Sequence, residues 1–142
     1  MNLRIKQRLM GVLLVAALAA CSQTQQQNKV SYELKSAMQN GNMVFVGVGG
    51  AVDGVVNPTL RAKVCDIVTI TLMSGEGAEH NFSLPALNVD SPHVLGQGKT
   101  IDVTFGVDHA GTFDYFCGLA GHKEAGMQVK FEVAGGLAEA AS

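Results

Sequence analysis

The sequence predicts an all-β domain, a β-sandwich of about seven to eight strands. After Asn40-Gly41 the chain consists of short runs rich in Val, Thr, Ile and Phe, which Gly, Pro, Asn and Asp separate. With 142 residues and 47% hydrophobic content, one domain with a single core is expected. Short strands in this number favour two packed sheets.

The expected strands share a β-branched and aromatic composition, and they cover 43–49, 59–64, 67–73, 80–84, 100–107, 112–117 and 129–133. In two of them apolar residues recur at every second position: Val68, Ile70 and Leu72 in one, and Ile101, Val103 and Phe105 in the other. Because successive side chains of a strand point to opposite faces, each of these strands is expected to bury one face.

The first 20 residues have the pattern of a secretory signal peptide. Arg4, Lys6 and Arg8 precede an apolar run over 10–20, which is short for a bilayer span and ends in small residues. Leu18-Ala19-Ala20-Cys21 resembles a bacterial lipobox, so Cys21 is expected to be acylated and to anchor the protein to a membrane, facing the periplasm or the cell exterior. The alternative is ordinary signal-peptidase cleavage, which leaves Cys21 as a thiol.

The rest of the chain divides into three segments. Residues 21–40 are expected to form a flexible tether, because their Gln-rich part buries too little apolar surface to order, with a possible short helix at 30–39. The folded domain is expected over 41–133. The tail 134–142 lacks a periodic pattern and is expected to be frayed.

The charge pattern argues against nucleic-acid binding. Without residues 1–20, seven basic and twelve acidic side chains remain, a net charge of −5. The basic residues are scattered and form no stripe or aromatic-basic cluster, so an electrostatic footprint for a phosphate backbone is absent from the sequence.

The stretch YFCGLAGHKEAGM carries three soft metal ligands, Cys117, His122 and Met127, spaced five residues apart. Cys117 ends a predicted strand, and the glycine-rich loop that follows returns into the next strand, so the three side chains can converge. His80 begins a distant strand and is the expected fourth ligand. Two imidazoles, one thiolate and a weak thioether suit copper in both oxidation states, whereas zinc prefers four strong ligands.

These segments resemble the cupredoxins, the blue-copper proteins of the plastocyanin, auracyanin and azurin group. GTFDYFC is similar to the strand that enters their copper loop, C-x4-H-x4-M has auracyanin-like spacing, and EHNFSLP is similar to their first ligand segment. GVVNPTL and SPHVLGQGKTIDVTF also resemble members associated with copper nitrite reductases. The resemblance covers about 43–133. Gln128, Val129, Ala120 and Cys65 depart from the family pattern without removing a ligand.

The resemblance implies a Greek-key β-sandwich that binds one type 1 copper and transfers electrons. It implies His80, Cys117 and His122 as equatorial ligands and Met127 as the axial ligand. It also implies that Asn81 joins the ligand loops by hydrogen bonds, and that backbone N–H groups near the thiolate tune its potential.

An electron carrier is favoured over an enzyme. Copper nitrite reductases connect two copper sites through a His beside the Cys ligand, but Phe116 and Gly118 flank Cys117. A binuclear copper centre needs a second Cys at the position of Gly121. The alternative function is a copper carrier or buffer that delivers the ion, and a copper-free structural domain would require all four ligands to be accidental.

The edge of His122 is the expected electron port, and an apolar rim around it is expected to comprise Leu119, Ala120, Pro85 and Leu87. Such a rim suits brief docking of a monomer with redox protein partners.

The remaining candidate ligands are expected to stay outside the copper site. His93 and His109 lie in loops and are expected to be solvated. Cys65 is expected to be a lone, half-buried thiol at a strand-entry turn.

Overall fold

The protein is a sandwich of two β-sheets, seen here in a computed structural model that describes residue 21 and residues 27–136. The nine strands of the described residues are β1 (Lys29–Gln39), β2 (Asn42–Val48), β3 (Leu60–Lys63), β4 (Ile67–Met73), β5 (Ser83–Leu84), β6 (Val89–Asp90), β7 (Thr100–Gly106), β8 (Gly111–Phe116) and β9 (Gln128–Ala134). Two single-turn 3-10 helices lie at Gly50–Val52 and Pro85–Leu87. The predicted all-β sandwich is confirmed.

The two sheets are mixed. One has the strand order β2-β1-β4-β7 and the other β3-β9-β8-β5-β6. The pairs β1–β4 and β3–β9 are parallel, while the other pairs are antiparallel. Parallel neighbours are distant in sequence, so the sandwich is closed by long-range pairings rather than by hairpins alone.

The core lies between the sheets and is built from the alternating residues. In β4, Val68, Ile70 and Leu72 are fully buried, as the sequence pattern predicted. Tyr115 packs against Phe45 and Phe82 with ring centroids 5.4 and 5.1 Å apart. Its hydroxyl donates to the carbonyl of Pro58 at 2.6 Å, so the core tyrosine leaves no polar atom unpaired.

Strand β1 corrects the prediction for residues 30–39. They form a strand, not a short helix or a tether, and the domain therefore begins at Lys29 rather than at residue 41. Asn40 and Gly41 have φ values of 51° and 82°, which two-residue hairpin turns of type I′ require. This turn pairs β1 with β2 on one side, and β4 pairs with β1 on the other. The hydrogen bonds that β1 makes with the strands on both of its sides outweigh the weak helical preference of its sequence.

The predicted strand at 80–84 is shorter than expected. It begins at Ser83, and His80 forms an isolated bridge with Val94. The main-chain bonds of this bridge measure 2.8 and 2.9 Å, so His80 is held firmly although it lies outside a regular strand.

Cys65 is bonded to Cys21, which corrects the prediction of a lone thiol. The disulfide joins residues 44 positions apart, with Cα atoms 5.7 Å apart. Lipid attachment would occupy the same sulfur of Cys21 through a thioether, so the predicted acylation and this disulfide exclude each other.

Several predictions concern segments that the structure does not describe. The leader 1–20, most of the Gln-rich stretch and the end of the tail at 137–142 lie outside the described residues. Within the residues that are described, no helix has the length and hydropathy needed to cross a membrane.

Candidate metal centre

Three predicted ligands meet at one end of the sandwich. His80 comes from the connection between β4 and β5, Cys117 directly follows β8, and His122 lies in the loop between β8 and β9. His80 and Cys117 are fully buried, while His122 is partly exposed. The site therefore lies just beneath the surface, with one imidazole that reaches solvent.

The donor atoms form a compact triangle. Cys117 Sγ lies 3.8 Å from His80 Nδ1 and 3.4 Å from His122 Nδ1, and the two Nδ1 atoms are 3.3 Å apart. The point equidistant from three atoms with these separations lies about 2.0 Å from each, close to a metal–nitrogen bond length and slightly below a metal–thiolate bond length. One metal ion fits between them with little movement.

Main-chain hydrogen bonds fold the loop that carries Cys117, His122 and Met127. The N–H of Cys117 donates to the carbonyl of Met127, and the N–H of Met127 donates to the carbonyl of His122, both at 3.1 Å. Gly121, with φ of 84°, permits the turn just before His122. Met127 is fully buried in the core. Its main chain is hydrogen-bonded to those of Cys117 and His122.

Asn81 connects the two ligand segments. Its side chain is almost fully buried, and its Oδ1 accepts a hydrogen bond from the N–H of Gly118 at 2.6 Å. Its Nδ2 donates to Asp90 Oδ1 at 2.9 Å. A Cβ on Gly118 would lie 3.0 Å from Ser83 Oγ and 3.3 Å from Asn81 Oδ1, so glycine allows the close approach.

The protonation of the three ligands follows from their contacts. Burial alone would raise the pKa of the Cys117 thiol, but hydrogen bonds from His80 and from the N–H groups of Asn81 and Leu119 outweigh it and lower that pKa. Burial would lower the pKa of His80, while its bonds to Cys117 and Glu76 raise it. Burial and the charge of His80 lower the pKa of His122. The shifts favour a Cys117 thiolate and a neutral His122, the forms that bind metal, whereas the raised pKa of His80 favours a proton that a bound metal would displace.

Sequence reasoning missed Glu76 and Ser36. A carboxylate oxygen of Glu76 contacts the outer nitrogen of His80, Nε2, and Ser36 Oγ donates to the other oxygen at 2.5 Å. Burial would raise the pKa of Glu76, but these two hydrogen bonds lower it on balance. The only sequence signal was a Glu four residues before a ligand in a glycine-rich loop, which is too common to identify a role.

The residues of the predicted rim differ in exposure. Ala120 and Pro85 are exposed, whereas Leu119 and Leu87 are half-buried and pack against the core.

The two other histidines are solvated, as predicted. His93 and His109 each have a 51% exposed side chain and pair with neighbouring carboxylates rather than with the donor triangle.

Comparison with known proteins gives matches among solved structures alone. No protein-family profile and no curated protein sequence matches the chain. The copper nitrite reductase of Nitrosomonas europaea superposes with a TM-score of 0.62 at 22% identity, over 81% of this chain and 45% of that one. Rusticyanin of Thiobacillus ferrooxidans gives 0.54 at 23% identity, over 77% and 79% of the two chains. Dithionite-reduced auracyanin of Roseiflexus castenholzii gives 0.52 at 15% identity, over 75% and 98%. The chain has the cupredoxin fold.

The donor set fits one type 1 copper ion. A thiolate and two imidazoles in a trigonal arrangement are ligands that such copper takes, and the main chain of Met127 is hydrogen-bonded to the main chains of Cys117 and His122. The chain spans less than half of the nitrite reductase, so the likeness to that enzyme concerns the fold of one part of it. The geometry of the donor triangle is this chain's own evidence for copper.

Proposed function

We propose that the protein is an electron carrier that cycles one type 1 copper between Cu(I) and Cu(II). His80, Cys117 and His122 would hold the ion, and Met127 would be a weak fourth ligand. The observation that carries the proposal is the preformed, largely buried His2Cys triangle. A rigid site that suits both oxidation states lets an electron enter and leave with little rearrangement. Rusticyanin and auracyanin, two structures with this fold, have been obtained in reduced form.

The chain's own residues supply the conditions for transfer. Bound copper supplies the one-electron couple. The fully buried side chains of His80 and Cys117 exclude water from one side of the site, and the hydrogen bond between Asn81 and Gly118 holds the two ligand loops together. Of the three donor residues only His122 is partly exposed, so its ring is the proposed route for the electron to the surface.

We further propose that redox partners dock briefly on the rim of Leu119, Ala120, Pro85 and Leu87 around His122. A small, partly apolar face of this kind suits fast release. Export to the periplasm or cell exterior is supported by the leader pattern and by the Cys21–Cys65 disulfide, since disulfides persist in oxidising compartments. A lipid-anchored form would require that disulfide to be absent.

The test uses the chain 21–142, loaded with Cu(II) and followed by visible absorption and electron paramagnetic resonance. An intense thiolate-to-copper band with narrow hyperfine splitting, bleached reversibly by reductant, is expected. Cys117→Ala should abolish the band, while His93→Ala, a loss of an exposed imidazole, should leave it unchanged. Colourless or readily stripped copper would overturn the proposal and favour copper delivery.

A further inference from the structure

The outer nitrogen of His80 is held by a carboxylate. The Nδ1 of His80 faces the donor triangle, and its Nε2 contacts Glu76 Oε1. With a metal bound at Nδ1, the remaining ring proton would lie on Nε2 and would be donated to Glu76. A carboxylate in this position fixes both the tautomer and the orientation of a ligand imidazole.

Glu76 is itself held from the neighbouring strand β1. Its second oxygen accepts a hydrogen bond from Ser36 Oγ, and Ser36 Oγ in turn accepts one from the N–H of Gly75 at 3.0 Å. Ser36 is 1% exposed, so this hydroxyl is a fixed part of the sheet. Both carboxylate oxygens act as acceptors, which is the pattern of the ionised form.

The loop that carries Glu76 lies unusually close to β1. A Cβ on Gly75 would lie 2.2 Å from the carbonyl oxygen of Ser36, so only glycine allows this approach. Ser74 Oγ donates to the carbonyl of Ala78 at 2.7 Å and closes the loop. The side chain of Glu76 is 23% exposed, which leaves its charge only partly screened by water.

We propose that Glu76 is a positioning residue for the copper site, which orients His80 through Nε2 and lowers the reduction potential of the copper. This inference rests on the proposed electron-carrier function. A negative charge on the far side of one imidazole favours Cu(II) over Cu(I), because Cu(II) carries one more positive charge. The hydrogen bond also makes the imidazole a stronger donor, which favours Cu(II) again.

The first test compares reduction potentials of Glu76→Gln and Glu79→Gln. Gln keeps the size and one acceptor oxygen at position 76 but removes the charge. Glu79 lies in the same loop, has a 46% exposed side chain and pairs with His93. Glu79→Gln therefore removes the same charge from the same loop without removing a bond to a metal ligand. At a fixed potential, Glu76→Gln should raise the Cu(I):Cu(II) ratio about tenfold, equivalent to about 59 mV for one electron. Glu79→Gln should give less than a third of that shift.

Equal shifts of the reduction potential in the two variants would overturn the proposal, because the loss of a nearby charge would then explain both shifts without the bond to His80. No shift in Glu76→Gln would also overturn it, because Glu76 would then have no effect on the copper. A lower potential in Glu76→Gln would also overturn it.

The second test does not depend on copper. In the metal-free chain labelled with 15N in histidine, the His80 Nε2–H should give a downfield proton signal that exchanges slowly with water. Glu76→Ala should lose this signal and Glu79→Ala should keep it. Retention of the signal in Glu76→Ala would show that Glu76 does not position His80. If the chain gives this signal but no blue copper band, the proposed function fails and the positioning contact stands.

Discussion

Asn81 shows at the scale of one residue how the ligand segments are joined. It is 2% exposed, and both ends of its amide are bonded: Oδ1 to the N–H of Gly118 and Nδ2 to Asp90. The N–H of Gly118 follows directly after the ligand Cys117. Removing the amide would leave this donor unpaired and open a gap between the two loops.

We expect Asn81→Ala to lower the free energy of unfolding of the metal-free chain by about 1–3 kcal/mol, the usual cost of a buried polar group left without its partner. Urea unfolding followed by circular dichroism measures the change. Gln97→Ala, at an exposed loop position, serves as the control and should stay within about 0.5 kcal/mol of wild type. Equal stability of Asn81→Ala and wild type would contradict the bridging role.

The hairpin of β1 and β2 sets the position of Ser36 at the scale of elements. Its turn places Asn40 and Gly41 at positive φ, and the register that results pairs Ser36 with Phe45. A slip of one residue would turn Ser36 away from Glu76 and expose Leu34. The geometry of this turn therefore determines where β1 places Ser36, which donates a hydrogen bond to Glu76 beside the ligand His80.

We expect Gly41→Ala to destabilise the protein by about 1 kcal/mol or more, because Gly41 has φ of 82° and an added Cβ disfavours that conformation. The space around Gly41 is open, so the cost would come from the backbone alone. Thermal unfolding measures it. Gly106→Ala is the matched control: its Cβ would make only an ordinary contact of 3.8 Å with Ile67, and φ there is not positive. A larger loss in Gly106→Ala than in Gly41→Ala would contradict this account.

At the scale of the whole molecule, the metal centre and the Cys21–Cys65 disulfide lie at opposite ends of the sandwich. Cys65 precedes β4, and the loop with Glu76 and His80 follows its last residue. A strand of seven residues separates them by about 20 Å. Cys21 is therefore attached far from the donor triangle.

We expect the oxidised chain 21–142 to contain the Cys21–Cys65 disulfide, and Cys65→Ser to lower the free energy of unfolding by about 2–4 kcal/mol. The disulfide closes a loop of 44 residues and so restricts the unfolded chain. Intact mass after thiol alkylation, with and without reductant, detects the bond, and urea unfolding gives the loss.

Cys21→Ser is the matched control, because it removes the other sulfur of the same disulfide and should lower the free energy of unfolding by the same amount. The copper absorption should be unchanged in both variants, since the disulfide is remote from the donor triangle. Alkylation of both Cys21 and Cys65 without reductant would contradict the disulfide, and a lipid adduct on Cys21 would replace it.

The sequence by itself determined the fold class, most strands and the types of ligand. The alternation of apolar and polar residues in β4 predicts which side chains are buried, because side chains two positions apart point to the same face of a strand. Cys117 and His122 lie in one short loop, so their convergence is a local property of the chain. The third donor, His80, was placed by type and by resemblance, and the structure brings it to Cys117 across 37 positions.

Only the tertiary structure decided the remaining features. The pairing of β1 with β4, the contact of Ser36 with Glu76 across 40 positions, and the disulfide across 44 all join distant segments. Their local sequences indicate a weak helix at 30–39 and a lipobox at Cys21, and they give no prediction for Glu76. Long-range contacts are set by how two sheets pack, and packing is a property of the whole core, which local periodicity does not encode.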